Sequence, residues 1–307
     1  MSFLDLHVSG QSIWIPYLVL LGLVVGYIAG LFGIGGGFLL TPTLITIFGI
    51  PAPVAVGSAL SEKCGTSVAS FLKYRELRFG EPKIDLIMLG GSLIGVDAGT
   101  RLLSYLVSLG TVHTGAGDLP VVRLVLDLTF LILLSLMAIY TFVEVSKSFL
   151  SETVRGDVTI PGPLAKLRIP PYVDLPHIGL KSVSVPMLAY LGFFLGVASG
   201  LMGIGGGVLL MPVLLYGLGL SARHAAGTGL LLLLATVAMG AFEQGLRGYV
   251  DLRLSMCLLI GSSIGSQLGV ITTTKVRNRN LRLAFGSLVA ATVIIIAVDA
   301  WPFRSLI

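Results

Sequence analysis

Apolar runs of bilayer length follow one another along almost the whole chain, near residues 14–32, 53–72, 84–107, 121–146, 184–202, 225–242, 252–273 and 281–300. A helix needs about 20 such residues to cross the hydrocarbon core, so the chain is expected to be an all-α polytopic membrane protein. The charge content supports this. Only 11% of the 307 residues are charged and 55% are hydrophobic, whereas a soluble domain carries about a quarter charged residues to meet water. Two shorter runs, 38–49 and 208–218, bring the segments to about ten and each follows a glycine cluster. Such a run covers about half to two-thirds of the core. It either crosses with the help of an extended glycine segment or returns as a re-entrant hairpin. The amino-terminal stretch has no Lys or Arg before its first apolar run, so that run reads as a retained span and not a signal peptide.

The chain is also duplicated. GLFGIGGGFLLTP, Gly30 to Pro42, returns as GLMGIGGGVLLMP, Gly200 to Pro212, displaced by 170 residues. At the same displacement Pro16 meets Pro186, Gly22 meets Gly192, Gly26 meets Gly196, and GSLIG at Gly91 meets GSSIG at Gly261. About a third of the positions from Pro16 to Gly99 match their partners. This divides the chain into a first membrane repeat at 14–147, a polar, Pro-rich linker at 148–183 and a second membrane repeat at 184–303. Counting Lys and Arg by loop places 73–83, 147–182 and 275–282 together on the cytoplasmic side if each repeat crosses five times. An odd number of crossings inverts one repeat relative to the other, an architecture of secondary transporters.

Candidate chemistry concentrates in two places. In Gly33-Ile34-Gly35-Gly36-Gly37 and Gly203-Ile204-Gly205-Gly206-Gly207, the missing Cβ permits φ > 0 and a helix break. Broken backbone at membrane depth is tolerated where it is buried in protein or lines a wet cavity. Backbone N–H groups at such breaks suit an anion; close helix packing through small residues is the alternative. The second place is GSALSEKCGTS, Gly57 to Ser67, whose repeat partner GTGLLLLLATV keeps only Thr228 and Thr236 as polar side chains. Charges inside a span cost at least about 2.5–3.5 kcal/mol each and normally face a partner or a cavity. Helical spacing puts Ser58, Glu62 and Thr66 near one face, with Lys63 and Ser67 beside it. Lys63 suits an anion and Glu62 suits either Lys63 or a coupled proton; a self-satisfied Glu62–Lys63 pair is the other reading. Ser58, Ser61, Lys63, Thr66, Thr228 and Thr236 complete the candidate substrate site, with Ser58 and Thr228 expected to line one shared cavity. Cys64 is a thiol contact or simple packing. Asp97 and its partner Gln267 line a cavity or bond between helices, and Asp127 and Glu243 fall near span ends.

The paired glycine motifs, the duplication and the loop-divided apolar chain together resemble the sulfite exporter (TauE/SafE) family of bacterial permeases. The resemblance covers nearly the whole chain, although the linker is longer than expected between family halves. It implies transport of sulfite, sulfoacetate or a related sulfur-containing anion across a bacterial inner membrane. No P-loop, H-E-x-x-H or G-x-S-x-G is present, so the expectation is a secondary permease, neither an enzyme nor a nucleic-acid binder, with no metal or other cofactor and with H+ or Na+ as the possible coupling ion. An anion channel, or an intramembrane enzyme using Glu62, Lys63 and Cys64, is the rival reading.

Overall fold

A computed structural model describes residues 5–8, 11–33, 37–77, 80–114, 117–150, 164, 169–175, 180–276 and 278–300. The first half contributes α1 (Ile15–Phe32), α2 (Gly37–Thr46), α3 (Ala52–Glu76), α4 (Pro82–Ser108) and α5 (Val121–Leu150). The second contributes α6 (Val185–Met202), α7 (Gly207–Pro212), a π-helical turn at Val213–Leu218, α8 (Ala222–Gly227), α9 (Leu230–Leu246), α10 (Leu252–Lys275) and α11 (Asn278–Ala300). Six helical stretches are long and apolar enough to cross a membrane: Ile15–Phe32, Pro82–Ser108, Val121–Tyr140, Val185–Met202, Arg223–Leu246 and Leu252–Lys275. The helix α3 is long enough to cross too, but its polar centre keeps it out of that set.

Local chemistry explains the helix starts. Prolines stand in the first turns of α1, α3, α4 and α6, where the missing N–H costs nothing. Ser184 caps α6 by accepting from Met187 N, and Asp251 caps α10 by accepting from Arg253 N and Leu254 N. Pro42 lies within α2 and Pro212 within α7, where the regular helix gives way to the π-helical turn.

The sequence predicts only helices, and here the structure adds three two-stranded antiparallel hairpins. They are β1 (Asp5–Val8) with β2 (Gln11–Trp14), β3 (Thr111–Thr114) with β4 (Gly117–Pro120), and β5 (Tyr172–Leu175) with β6 (Leu180–Ser184). The first and third lead directly into α1 and α6. Of the proposed linker, only this last hairpin and a few nearby residues are described.

The core is built across the halves. Gly22, Gly26 and Gly30 of α1 lie on the backbone of Leu258, Ser262 and Ser266 of α10, while Gly261, Gly265 and Gly269 return the contact on α1. Gly91, Gly95 and Gly99 of α4 meet Gly192, Gly196 and Gly200 of α6 in the same manner. Each stripe has the four-residue spacing that lets two helix backbones touch, and a Cβ on any of these glycines would overlap the facing main chain. The residue numbers rise together in both pairs, so α1 runs parallel to α10 and α4 parallel to α6. The contacts of α3 extend this frame. Ser58 meets Asp251, Thr66 meets Ser262 and Tyr74 meets Thr273, making α3 parallel to α10. Gly57 lies by Gln244 and Gly240 by Leu60, making α3 antiparallel to α9.

Candidate functional site

Two helix ends and two central helices meet around Gly203. The helix α6 stops at Met202, and Gly203, Gly205 and Gly206 take φ of 70°, 72° and 74° before α7 begins at Gly207. These are left-handed conformations that a Cβ opposes. In the first half α1 ends at Phe32, Gly33 has φ 64° and α2 begins at Gly37. The candidates Gly35 and Gly36 lie outside the described residues. The environments of the two leading glycines match: Gly203 rests on Val56 and Gly33 on Ala226, residues themselves 170 apart.

Lys63 is fully buried at the middle of α3, and its Nζ donates to the Gly203 carbonyl oxygen. That carbonyl belongs to the C-terminal end of α6, where the helix dipole favours a cation. Gly205 lies against Val237 and Leu233 of α9 and near the aliphatic stem of Lys63. Thr236 donates to the carbonyls of Leu233 (2.8 Å) and Gly205 (3.4 Å). A small void, lined by Leu195, Gly205, Gly206, Leu210, Leu232, Leu233 and Thr236, sits at this junction.

Glu62 points elsewhere. It is buried, accepts at Oε1 from Thr66 Oγ1, and its Oε2 has no hydrogen-bond partner among the described residues. Thr66 Oγ1 also bonds Ser262 Oγ of α10 at 2.7 Å. Adjacent helical residues diverge by about 100°, so Glu62 faces α10 while Lys63 faces the α6–α7 break. Among the described residues no salt bridge joins the two, although each lies in the other's field. Cys64 turns to a third direction, its thiol donating to Leu60 O of its own helix, so Glu62, Lys63 and Cys64 do not converge as a reactive triad. Ser61 is half-buried beside them, and Ser67 is buried with an unpartnered hydroxyl one turn above Lys63.

Other candidates are not brought together. Ser58 Oγ accepts from Asp251 N at the start of α10, and Thr228 Oγ1 accepts from Glu81 N just before α4. Both hydroxyls therefore cap the approach to a long helix, one in each half. Ser58 lies near the start of α3 and Glu81 lies beyond its end, roughly 25 Å away along the axis. The expectation of one shared cavity lined by Ser58 and Thr228 is thus corrected. Asp97 and Gln267 are corrected too. Asp97 pairs with the exposed Arg101 at 2.9 Å and Gln267 is exposed, because the glycine stripes of α4 and α10 take the buried faces. Glu243, expected at an interface, is buried instead, where it accepts from Thr100 Oγ1 and Arg247 Nη1. Sequence reasoning missed Tyr74 and Gln244, which are partners in the repeat. Tyr74 OH donates to Gly30 O at 3.0 Å and Gln244 Nε2 to Gly200 O at 3.3 Å. The signal was a polar residue in each half 44 positions after the glycine it holds.

Six helices long and apolar enough to cross a membrane fit a multi-pass membrane protein, and comparison with known proteins gives the class, a membrane transporter. Residues 18–296 match the model of the family described as Sulfite exporter TauE/SafE; the chain belongs to that family. Curated relatives are named as membrane transporters without a stated substrate. YdhB of Bacillus subtilis, named a probable membrane transporter protein, is 26% identical over 253 residues, covering 82% of this chain and 87% of its own length. YunE of the same organism, also so named, is 22% identical over 86% of this chain and 90% of its own. A probable membrane transporter protein of Methanocaldococcus jannaschii is 25% identical over 89% of this chain and 92% of its own length. No solved structure matches significantly.

Proposed function

We propose that this protein is a secondary permease that carries a small sulfur-containing anion, sulfite or an organosulfonate, across the bacterial inner membrane. The observation that carries the reading is Lys63, a buried amine in the middle of α3 whose Nζ donates to the backbone carbonyl of Gly203 at the glycine break. Ionisable groups inside a span are costly to bury and mark substrate paths; the acid that balances Lys63, Glu62, faces α10, which leaves the ammonium turned toward the break. The anion site comprises Lys63, the break at Gly203, Gly205, Gly206 and Gly207, and Thr236, while Thr66 stands with Glu62 on the α10 side of α3. The equivalent break of the first half begins at Gly33, which rests on Ala226 toward the Thr228 end of the bundle. Ser58 and Thr228 act as hinges of the two ends and do not line this site.

In this reading residues 14–147 and 184–303 are inverted repeats with discontinuous helices at the glycine motifs, joined by a cytoplasmic linker at 148–183. Support comes from the paired contacts: α1 with α10 and α4 with α6 are equivalent under the 170-residue displacement, while α3 and its partner α9 run in opposite senses. The same directions put the ends of α3 and α10, and hence the basic loops 73–83 and 275–282, on one side, which the positive-inside rule assigns to the cytoplasm. Reconstituted protein should bind sulfite or sulfoacetate and move it with saturable flux, with counterflow that a channel lacks. Binding of none of sulfite, thiosulfate, sulfoacetate and sulfate by pure protein would reject the anion assignment.

A further inference from the structure

We propose that Glu62 is the proton carrier of the transport cycle, so that one proton crosses with each monovalent anion. The inference rests on the anion site at Lys63. The starting point is charge balance in a place that cannot tolerate imbalance. Glu62 and Lys63 are both buried, at 1% and 0% exposure, and a net charge at membrane depth costs several kcal/mol. With the site empty, Glu62 as carboxylate and Lys63 as ammonium sum to zero. An arriving monovalent anion makes the sum −1. One proton on Glu62 restores zero, and its release with the anion on the far side completes the cycle.

The geometry separates the two tasks. Lys63 faces the α6–α7 break, where the anion binds, and Glu62 faces α10 about a third of a turn away, so the proton does not compete with the anion for one position. Oε1 is already held by Thr66, which is in turn bonded to Ser262. Oε2 has no partner among the described residues and is the oxygen free to take a proton. Lys63 is the charged group whose field reaches Glu62, and Cys64 the neighbouring titratable one. The group facing it from α10 is the hydroxyl of Ser262. The acids of the other packed elements, Glu243 on α9 and Asp251 at the start of α10, sit near helix ends and have partners of their own. The second repeat cannot supply the function, since Leu232 stands where Glu62 does and Leu233 where Lys63 does.

One consequence concerns direction. Coupled this way, transport of a monovalent anion is electroneutral, and a cytoplasm more alkaline than the outside favours uptake. Net export then requires an outward anion gradient larger than the pH gradient that opposes it.

The test uses full-length protein in proteoliposomes, with sulfite and with methanesulfonate, an anion that stays monovalent at every working pH. Anion uptake and lumenal pH are followed together, with the membrane potential clamped by valinomycin and potassium. For methanesulfonate the wild type should move about one proton per anion and accumulate the anion when the outside is acidic, at any clamped potential. Glu62→Gln, a fixed neutral carrier, should still exchange internal for external anion but lose at least tenfold in pH-driven accumulation. Lys63→Ala should lose exchange as well. Anion flux in the wild type without proton movement, or pH-driven accumulation retained by Glu62→Gln, overturns the proposal while leaving the permease standing. A wild type that neither binds nor moves either probe overturns the permease reading, and the coupling with it.

Discussion

The two halves share a scaffold and divide the chemistry. In the first, the central turn of α3 reads Glu62, Lys63, Cys64, Gly65, Thr66, Ser67; in the second, the equivalent turn of α9 reads Leu232, Leu233, Leu234, Ala235, Thr236, Val237. The α3 turn meets α10 through Thr66 and the glycine break through Lys63, and the α9 turn meets the same break through Leu233, Thr236 and Val237. Conservation of the glycine stripes, the tyrosine or glutamine clasp on α1 or α6, and the capping hydroxyls preserves the frame. Apart from the shared Thr66 and Thr236, the polar side chains occur once. In the permease reading proposed above, a symmetric frame with an asymmetric centre would let equivalent ends open alternately while a single charged side chain serves both.

Exchanging the burden of the two turns gives the largest effect. Lys63→Ala removes the cation that we assign to the anion, so transport should fall about 10- to 100-fold, the range of one lost charge-assisted contact. Because the deleted ammonium donates to Gly203 O and balances the buried Glu62 carboxylate, the melting temperature should fall as well. Leu233→Ala should differ in flux. It opens a cavity worth about 2–5 kcal/mol of stability yet leaves flux per folded molecule near wild type. Flux and melting, measured side by side at equal membrane abundance, would break the comparison if the two variants behaved alike.

Next in size come the stripes. Gly26→Ala and Gly196→Ala each drive a Cβ into the facing main chain of Ser262 or Ser92, so the helices must part. Both should lose several degrees of melting temperature or fail to accumulate as folded protein. Gly90→Ala is the control on the same helix as the α4 stripe, with nothing within 4 Å of the added carbon. It should be neutral or stabilising by up to about 1 kcal/mol. Equal melting of Gly26→Ala and Gly90→Ala would show that the α1–α10 contact does not hold the bundle.

A smaller effect is expected at the break. In Gly206→Ala a side chain must adopt φ near 74°, a cost of about 1–2 kcal/mol. The substitution should weaken anion binding about 5- to 30-fold without raising the melting temperature. Unchanged affinity with greater stability would mean that the break is only a packing device.

Much of this was legible in the residues. The apolar runs marked the long helices, the 170-residue displacement marked the equivalent segments, and a lone Lys–Glu doublet in an apolar run marked the centre. What the sequence did not carry was which residues are neighbours. Equivalence was mistaken for proximity when Ser58 and Thr228 were placed in one cavity. Asp97 and Gln267 were misjudged because polarity says a side chain needs a partner, not which side of the helix it occupies; the glycine stripes had already claimed the inner face. The leading hairpins are hidden since strands of four or five residues leave too short an alternation to read.

The smallest expected effect tests the hinges. Ser58 Oγ and Thr228 Oγ1 each accept one main-chain N–H, from Asp251 and from Glu81, both at 2.9 Å. Ser58→Ala and Thr228→Val each remove one such acceptor and leave one buried donor unpaired. A lost cap of this kind costs about 0.5–2 kcal/mol, and because the two sites correspond, the two losses should be similar. Anion affinity should stay within about twofold of wild type in both, since neither hydroxyl meets the site at Lys63. The hinge role makes a further demand: each variant should loosen the end it caps. Accessibility of a cysteine introduced beside Glu81 should rise in Thr228→Val and not in Ser58→Ala, and the converse should hold beside Asp251. If either variant instead lowered affinity more than tenfold at unchanged stability, its hydroxyl would belong to the substrate path, and the division between a symmetric frame and a one-sided centre would have to be redrawn.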